Sequence, residues 1–402
     1  MKIMLKNRRF HGGSSLSLLE YGKLLHQHGH EVVSAGEYSK TKGAYDEAGI
    51  ATHAIPVFRN SRPLGNMRTL YDYCRLLKRE KIELIVATAV CNCVYHEVIR
   101  KLLGIPVVYI IPGAEIPAYF TRIVRNRDLI VFSRENRQAL IDNGYSEPNI
   151  HLITNRLSFD QAAHNFEPAR TDRTIRLLMI SRLDDEKIES VRLVIDYARK
   201  LVEDAGHDVS LHLVGDGRWL ETIRSEAAHI NERLSSPVIQ VEGFQADVMK
   251  YIRHAHIAFG KARSVLEPMY YNKLAYVVNE AGGMWQVGPD NIAELQRTNF
   301  SGRSVACPAS AFAELEQTVS NLKRTANSHE VQEVLESNRS FVRAHYDIAH
   351  AKHAILDHIQ HAKANSRSAS ASSGLVQGAV EYARIYGQIA GHLISGKVRA
   401  RS

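Results

Sequence analysis

The sequence predicts an α/β protein of two consecutive domains, each a mostly parallel sheet covered by helices on both faces. Three observations carry this. Short apolar runs alternate with amphipathic stretches along the chain, the rhythm of parallel strands joined by helical crossovers. The rhythm restarts after a polar stretch at 160–174, which reads as an interdomain linker. At 402 residues the chain also exceeds what one hydrophobic core usually serves.

Residues 2–5 form the first strand candidate and lead into the polar loop 6–13. A helix over about 14–29 follows, with Leu16, Leu19, Leu24 and Leu25 as its apolar stripe, Ser14 and Ser15 as caps and Gly29 as its stop. Strands at 30–35, 84–87, 106–111 and 129–132 alternate with helical patterns such as 66–80 and 93–103. In the second domain, strands fall near 175–180, 209–214, 238–241, 255–259 and 275–278, with helices over 188–205, 217–233, 245–253 and 263–272. The expected division is 1–160, 161–328, one long helix over 329–362 that returns to the first domain, and a 363–402 extension. The N-S-R-S-A-S-A-S-S-G run at 365–374 is low-complexity, and 375–398 reads as a basic amphipathic tail.

A hydrophobic fraction of 45% and a charged fraction of 23% exclude a disordered chain. The net charge of +8 is spread along the whole sequence, which argues against a nucleic-acid arm and fits an anionic membrane surface or phosphorylated substrates. Four cysteines, with Cys91 and Cys93 as a lone C-x-C, make neither a disulfide framework nor a metal site and read as buried thiols. Arg8 and Arg9 interrupt any signal-peptide core, and no apolar run approaches the roughly 20 residues that span a bilayer. The expected location is cytoplasmic, at most peripheral on the inner face of the cytoplasmic membrane.

The chemistry sits on strand-end loops. His11-Gly12-Gly13-Ser14-Ser15 joins the first strand to the first helix, where missing Cβ atoms and free helix N–H groups suit an anion; a plain tight turn is the competing reading. Arg182 and Lys187 bracket the loop of S-R-L-D-D-E-K and suit a nucleotide diphosphate, unless they only pair with Asp184, Asp185 or Glu186. Gly215-Asp216-Gly217 ends the next strand, and Gly243-Phe244 can set backbone groups against a nucleobase. Gly260-Lys261-Ala262-Arg263-Ser264 opens the helix carrying Glu267 and reads as a diphosphate cradle, with Glu267 accepting from ribose hydroxyls.

In their order and spacing, H-G-G-S-S, I-V-F-S-R-E-N-R-Q-A-L-I-D-N-G-Y with H-L-I-T-N, S-R-L-D-D-E-K, L-V-G-D-G-R, E-G-F and A-R-S-V-L-E-P-M resemble the GT-B nucleotide-sugar glycosyltransferases, closest to the retaining family four. The resemblance covers nearly all of 1–360. It implies two Rossmann-like domains facing across a cleft, with a UDP- or GDP-sugar as co-substrate, a glycan or lipid-linked acceptor on the first domain and no metal. It assigns leaving-group stabilisation to Arg182 and Lys187. It places Gly12, Gly13, Gly215, Gly243, Phe244, Lys261, Arg263, Ser264, Val265 and Glu267 on the donor, and Arg8, Arg9, His11 and Glu115 toward sugar or acceptor. Two positions depart from the pattern. Phe259 stands where the family has a sugar-facing glutamate, and Pro112-Gly113 stands where it often has a histidine.

The expectation is therefore a transferase building a cell-surface polysaccharide or glycolipid, with anomeric retention implied by the resemblance. Phe259 and Pro112 keep a second class open, a catalytically inactive nucleotide-sugar binding partner of a glycosylation complex. A third is another enzyme of the same fold, such as an epimerase or a phosphorylase.

Overall fold

The computed structural model describes residues 1–58, 63–88, 92–113, 116, 120–124, 127–159, 174–303, 305–306, 310–325 and 329–366. The chain divides into two compact units, Met1–Arg156 with Ile348–Ser402, and Leu157–Asp347.

The first unit runs β1 (Lys2–Arg9), α1 (Gly12–Gln27), β2 (Glu31–Glu37), α2 (Lys42–Glu47), β3 (Ala51–Ala54), α3 (Pro63–Arg79), β4 (Leu84–Ala87), α4 (Cys93–Leu103), β5 (Val107–Ile111), α5 (Phe120–Ile123), β6 (Leu129–Val131), α6 (Arg134–Asp142) and β7 (Ile150–Leu152). Its sheet is parallel throughout, in the order β3-β2-β1-β4-β5-β6-β7. Each strand feeds two cores. Met4 and Ile85 pack with Tyr73, Leu77, Val98 and Ile99, whereas Ile3, Leu5, Leu84 and Val86 pack with α1. Double-sided burial is why these strands read as unbroken apolar runs rather than alternating ones.

The second unit runs β8 (Ile175–Ile180), α7 (Ile188–Glu203), β9 (Val209–Val214), α8 (Leu220–Leu234), β10 (Ile239–Gly243), α9 (Met249–His254), β11 (Ile257–Gly260), α10 (Arg263–Tyr270), β12 (Leu274–Val278), β13 (Met284–Gln286), α11 (Ile292–Arg297), α12 (Ala311–Thr325) and α13 (His329–Tyr346). Its sheet order is β10-β9-β8-β11-β12-β13, parallel except for the last strand, which returns as an antiparallel hairpin. A three-residue strand of Met-Trp-Gln is too short to signal itself in sequence.

Three expectations change. The stretch 329–362 is not one helix: α13 ends at Tyr346, and α14 (Ile348–Ser366) starts after Asp347. At that break Leu157 N donates to the Tyr346 carbonyl at 2.9 Å, so the backbone is tied where the chain changes unit. Only α14 belongs to the first unit, where Ile348, Ala351, Ile355 and Ile359 bury against the face that α1 covers. Next, α1 begins at Gly12, not at a serine cap. Gly12 takes φ +71°, His11 is the N-cap without a side-chain cap, and Ser14 and Ser15 lie inside the helix, the buried Ser15 hydroxyl accepting from Thr41 Oγ1 at 3.1 Å. Finally, β1 continues to Arg9 and buries Lys6 and Asn7, which composition alone assigns to a polar loop. The proposed tail at 375–398 lies outside the described residues.

Two buried histidines set the acid stability of the first unit. His96 on α4 is fully buried, with neither ring nitrogen hydrogen-bonded, and burial, with nearby Lys6, pushes it down to about 3. His358 on α14, its ring 4.6 Å from that of His151, is pushed down to about 4, chiefly by burial. Both stay neutral in the fold while the unfolded chain takes up protons below the ordinary value of 6.5, so they leave stability unchanged above that pH and reduce it as pH falls from there toward 4. Denaturant midpoints should therefore drop from neutral pH to about pH 5. His96→Phe, which keeps a ring in the site and removes the titration, should shallow that drop.

Candidate active site

Strand order in the second sheet reverses at β8, which has β9 on one side and β11 on the other. Crossovers leave in opposite directions there, and the carboxyl ends of the two strands are left with a crevice between their loops. The loop after β8 carries Arg182 and Lys187, and the loop after β11 carries Lys261, with Arg263 opening α10.

Lys187 and Lys261 meet on a residue the sequence reading missed. Glu280, in the turn after β12, accepts from Lys187 Nζ at Oε1 (2.6 Å) and from Lys261 Nζ at Oε2. Asn279 shapes that turn: its Oδ1 accepts from Ala281 N at 3.0 Å and Gly283 N at 2.8 Å, and its Nδ2 donates to the Gly302 carbonyl at 3.0 Å. Burial raises the Glu280 carboxyl, but the bonds from Lys187 and Lys261 outweigh it and hold it at about 2. Burial lowers Lys261 to about 8, with Lys187 and Arg303 adding to the fall and Glu280 opposing it. N-E-A-G-G reads as a plain turn, so the only sequence signal for Glu280 was its place at a strand end.

The other predicted residues separate into groups. Arg182 pairs with its own loop, Nη1 to Asp184 at 2.6 Å and Nη2 to Glu186 at 3.0 Å, as the competing sequence reading allowed. Arg263 pairs with Glu267 one turn on, both of its bonds falling on Oε1; among the described residues none donates to Oε2. Val265 is fully buried and its N–H donates to the Ala262 carbonyl at 3.0 Å, so the backbone contact expected of it is taken up within the protein. Ser264 sits close under Gly260, where an added Cβ would lie 2.5 Å from the Ser264 Cβ.

Gly215 and Gly217 owe their identity to protein packing. A Cβ at Gly215 would lie 1.7 Å from the Ser181 carbonyl oxygen, and one at Gly217 would lie 2.2 Å from that of Leu183. The two loops are zipped by Ser181 N to Val214 O and Leu183 N to Asp216 O, each 3.0 Å. Gly243 takes φ +70°, and Phe244 beyond it is exposed at the end of β10. Ala262 caps α10 at φ +49°, ψ −120°, a region that disfavours a side chain and stores strain beside Lys261.

In the first unit the order reverses at β1, between β2 and β4, and Gly12 and Gly13 open α1 just past it. Arg9 pairs with Glu37 at 2.6 Å, Arg8 is exposed, and His11 sits half-buried at the N-cap. Pro112 and Gly113 follow β5, and Glu115 lies outside the described residues. Phe259 is sealed in the core, its ring 5.4 Å from that of Tyr276, and brings no polar group to the site.

No family model and no curated protein matches the chain. Solved structures do. That of Anabaena HepE in complex with UDP-glucose superposes with a TM-score of 0.66 at 17% identity, covering 89% of this chain and 98% of that one. A glycosyltransferase from Rickettsia africae gives 0.66 at 14% identity over 90% and 98% of the two chains. Staphylococcus aureus TarM, crystallised with UDP and a GlcNAc-glycerol, gives 0.63 at 10% identity over 90% and 99%. The fold is GT-B. Among the described residues no group of His, Cys, Asp and Glu could hold a metal ion, and no helix is long and apolar enough to cross a membrane. The second unit's switch point presents the ammonium groups of Lys187 and Lys261.

Because Lys261 loses its proton near pH 8, affinity for a diphosphate such as UDP should fall as pH rises from about 7 to about 9. Lys261→Arg should flatten that profile, which calorimetric titration would read directly.

Proposed function

We propose that this chain is a glycosyltransferase that moves a sugar from a nucleoside-diphosphate-sugar to a glycan or lipid-linked acceptor, in cell-surface polysaccharide or glycolipid biosynthesis. The observation that carries the reading is the convergence of Lys187 and Lys261, from two strand ends at the switch point, on a single anion. When the bond from the sugar's anomeric carbon to the diphosphate breaks, the electron pair stays on the β-phosphate oxygen. Two ammoniums at the amino ends of α7 and α10 are placed to neutralise that charge as it forms. Arg182 joins them only by releasing Asp184 and Glu186, so Lys187 and Lys261 rank above it. Glu267 Oε2 is available to ribose hydroxyls, while Gly243 and Phe244 flank the place of the base. Arg8, Arg9, His11 and Glu115 remain the sugar- and acceptor-facing candidates of the first unit. UDP is the first nucleotide to test, because the HepE and TarM structures hold it, with GDP as the alternative. Retention of anomeric configuration rests on the sequence resemblance.

The core position of Phe259 favours a second reading, a nucleotide-sugar binding partner without turnover. Donor hydrolysis and transfer across a panel of nucleotide sugars separates the two. For the enzyme, Lys187→Ala should cost about 10²-fold in kcat and Arg182→Ala clearly less, by analogy with removing one donor that stabilises a developing oxyanion. Unchanged turnover in the Lys187 variant would refute its leaving-group role.

A peripheral contact with anionic membrane is part of the same proposal. Met67 and Tyr71 stand exposed four residues apart on α3, at 51% and 67%, beside exposed Arg68, Arg75, Lys78 and Arg79. Apolar anchors rimmed by cations suit an anionic bilayer. Co-sedimentation with phosphatidylglycerol-containing vesicles, absent with phosphatidylcholine alone, should be lost in Met67→Ser/Tyr71→Ser.

A further inference from the structure

Glu280 is placed where a phosphate would be expected. Its two carboxylate oxygens are divided between the two ammoniums, one each, as two oxygens of a bridging anion would be. Its side chain is 37% exposed, against 27% for Lys187 and 14% for Lys261, so the carboxylate covers the lysines from the solvent side. The backbone that presents it is pinned by Asn279, and the side chain itself is held by the two lysines. Without an anion there, two ammoniums would face each other half-dehydrated, a costly arrangement.

We infer that Glu280 is a built-in competitor for the phosphate-binding lysines, which a ligand must displace by offering Lys187 and Lys261 an anionic oxygen each. This role rests on reading the second unit as a diphosphate site. A single carboxylate reaches both ammoniums with its two oxygens, so a phosphate group of similar span can replace both contacts at once. The free site opposes two ammoniums with one carboxylate and stays cationic; the loaded site opposes them with a diphosphate and releases the carboxylate to water.

The test uses inorganic diphosphate and orthophosphate, which carry no base, titrated calorimetrically into the full chain and into Glu280→Gln at neutral pH, with melting curves to confirm that both are folded. Removing the carboxylate charge should tighten diphosphate about fivefold, the scale of a partly exposed ion pair. It should also tighten orthophosphate. Unchanged or weaker diphosphate binding in Glu280→Gln overturns the inference and makes Glu280 an anchor that positions the lysines. A Lys187→Ala/Lys261→Ala variant separates the two layers. If it binds diphosphate as the parent does, the site itself is misassigned and both readings fall. If it loses binding while Glu280→Gln gains none, only the competitor role falls.

Discussion

Parallel strands cannot be joined by hairpins; each connection must cross back over a face of the sheet. That constraint organises both units of this chain. Crossovers cover both faces, so the central strands are buried on both sides, and every strand but β13 leaves toward the same edge. Where β8 sends one series of crossovers to β9 and β10 and the next series returns through β11, adjacent loops diverge and leave room for a ligand. Lys187, Lys261 and Glu280 lie far apart in sequence and meet because their loops follow β8, β11 and β12 at that edge.

Electrostatics then decides what the crevice can hold. A buried ammonium is unfavourable unless something negative lies near it, and Lys261 is lowered by burial even with Glu280 in contact. The carboxylate offsets part of that cost while leaving the site cationic. Strain at Ala262, beside Lys261 at the start of α10, adds a local cost that the packing of Val265, Leu266 and Met269 into the core holds in place.

Much of the fold was legible because double-sided burial writes itself as apolar runs. The strands around 84–87, 175–180 and 209–214 and the helices behind them follow from that pattern. What escaped lies mostly at the sheet edges: β3, β7 and β13 are short strands paired on one side only, and the helix α12 also went unread. In the site, the loops were found by their glycines and cations, but partners were not. Gly215 and Gly217 signalled a close approach, and the approaching group proved to be the Ser181–Leu183 backbone. Arg182 was read toward a diphosphate, and it lies against Asp184 and Glu186.

Local composition by itself determined the layered α/β architecture, the strand-end position of the glycine and lysine loops, and the approximate division of the chain. These depend on residues near one another along the polymer, through helical and strand periodicity. Only the tertiary structure decided which charges face each other: Glu280 between two lysines, Glu267 against Arg263, and α14 beneath the first sheet instead of one continuous 329–362 helix. Such pairings follow from strand order and register, which bring together segments that have no contact in sequence.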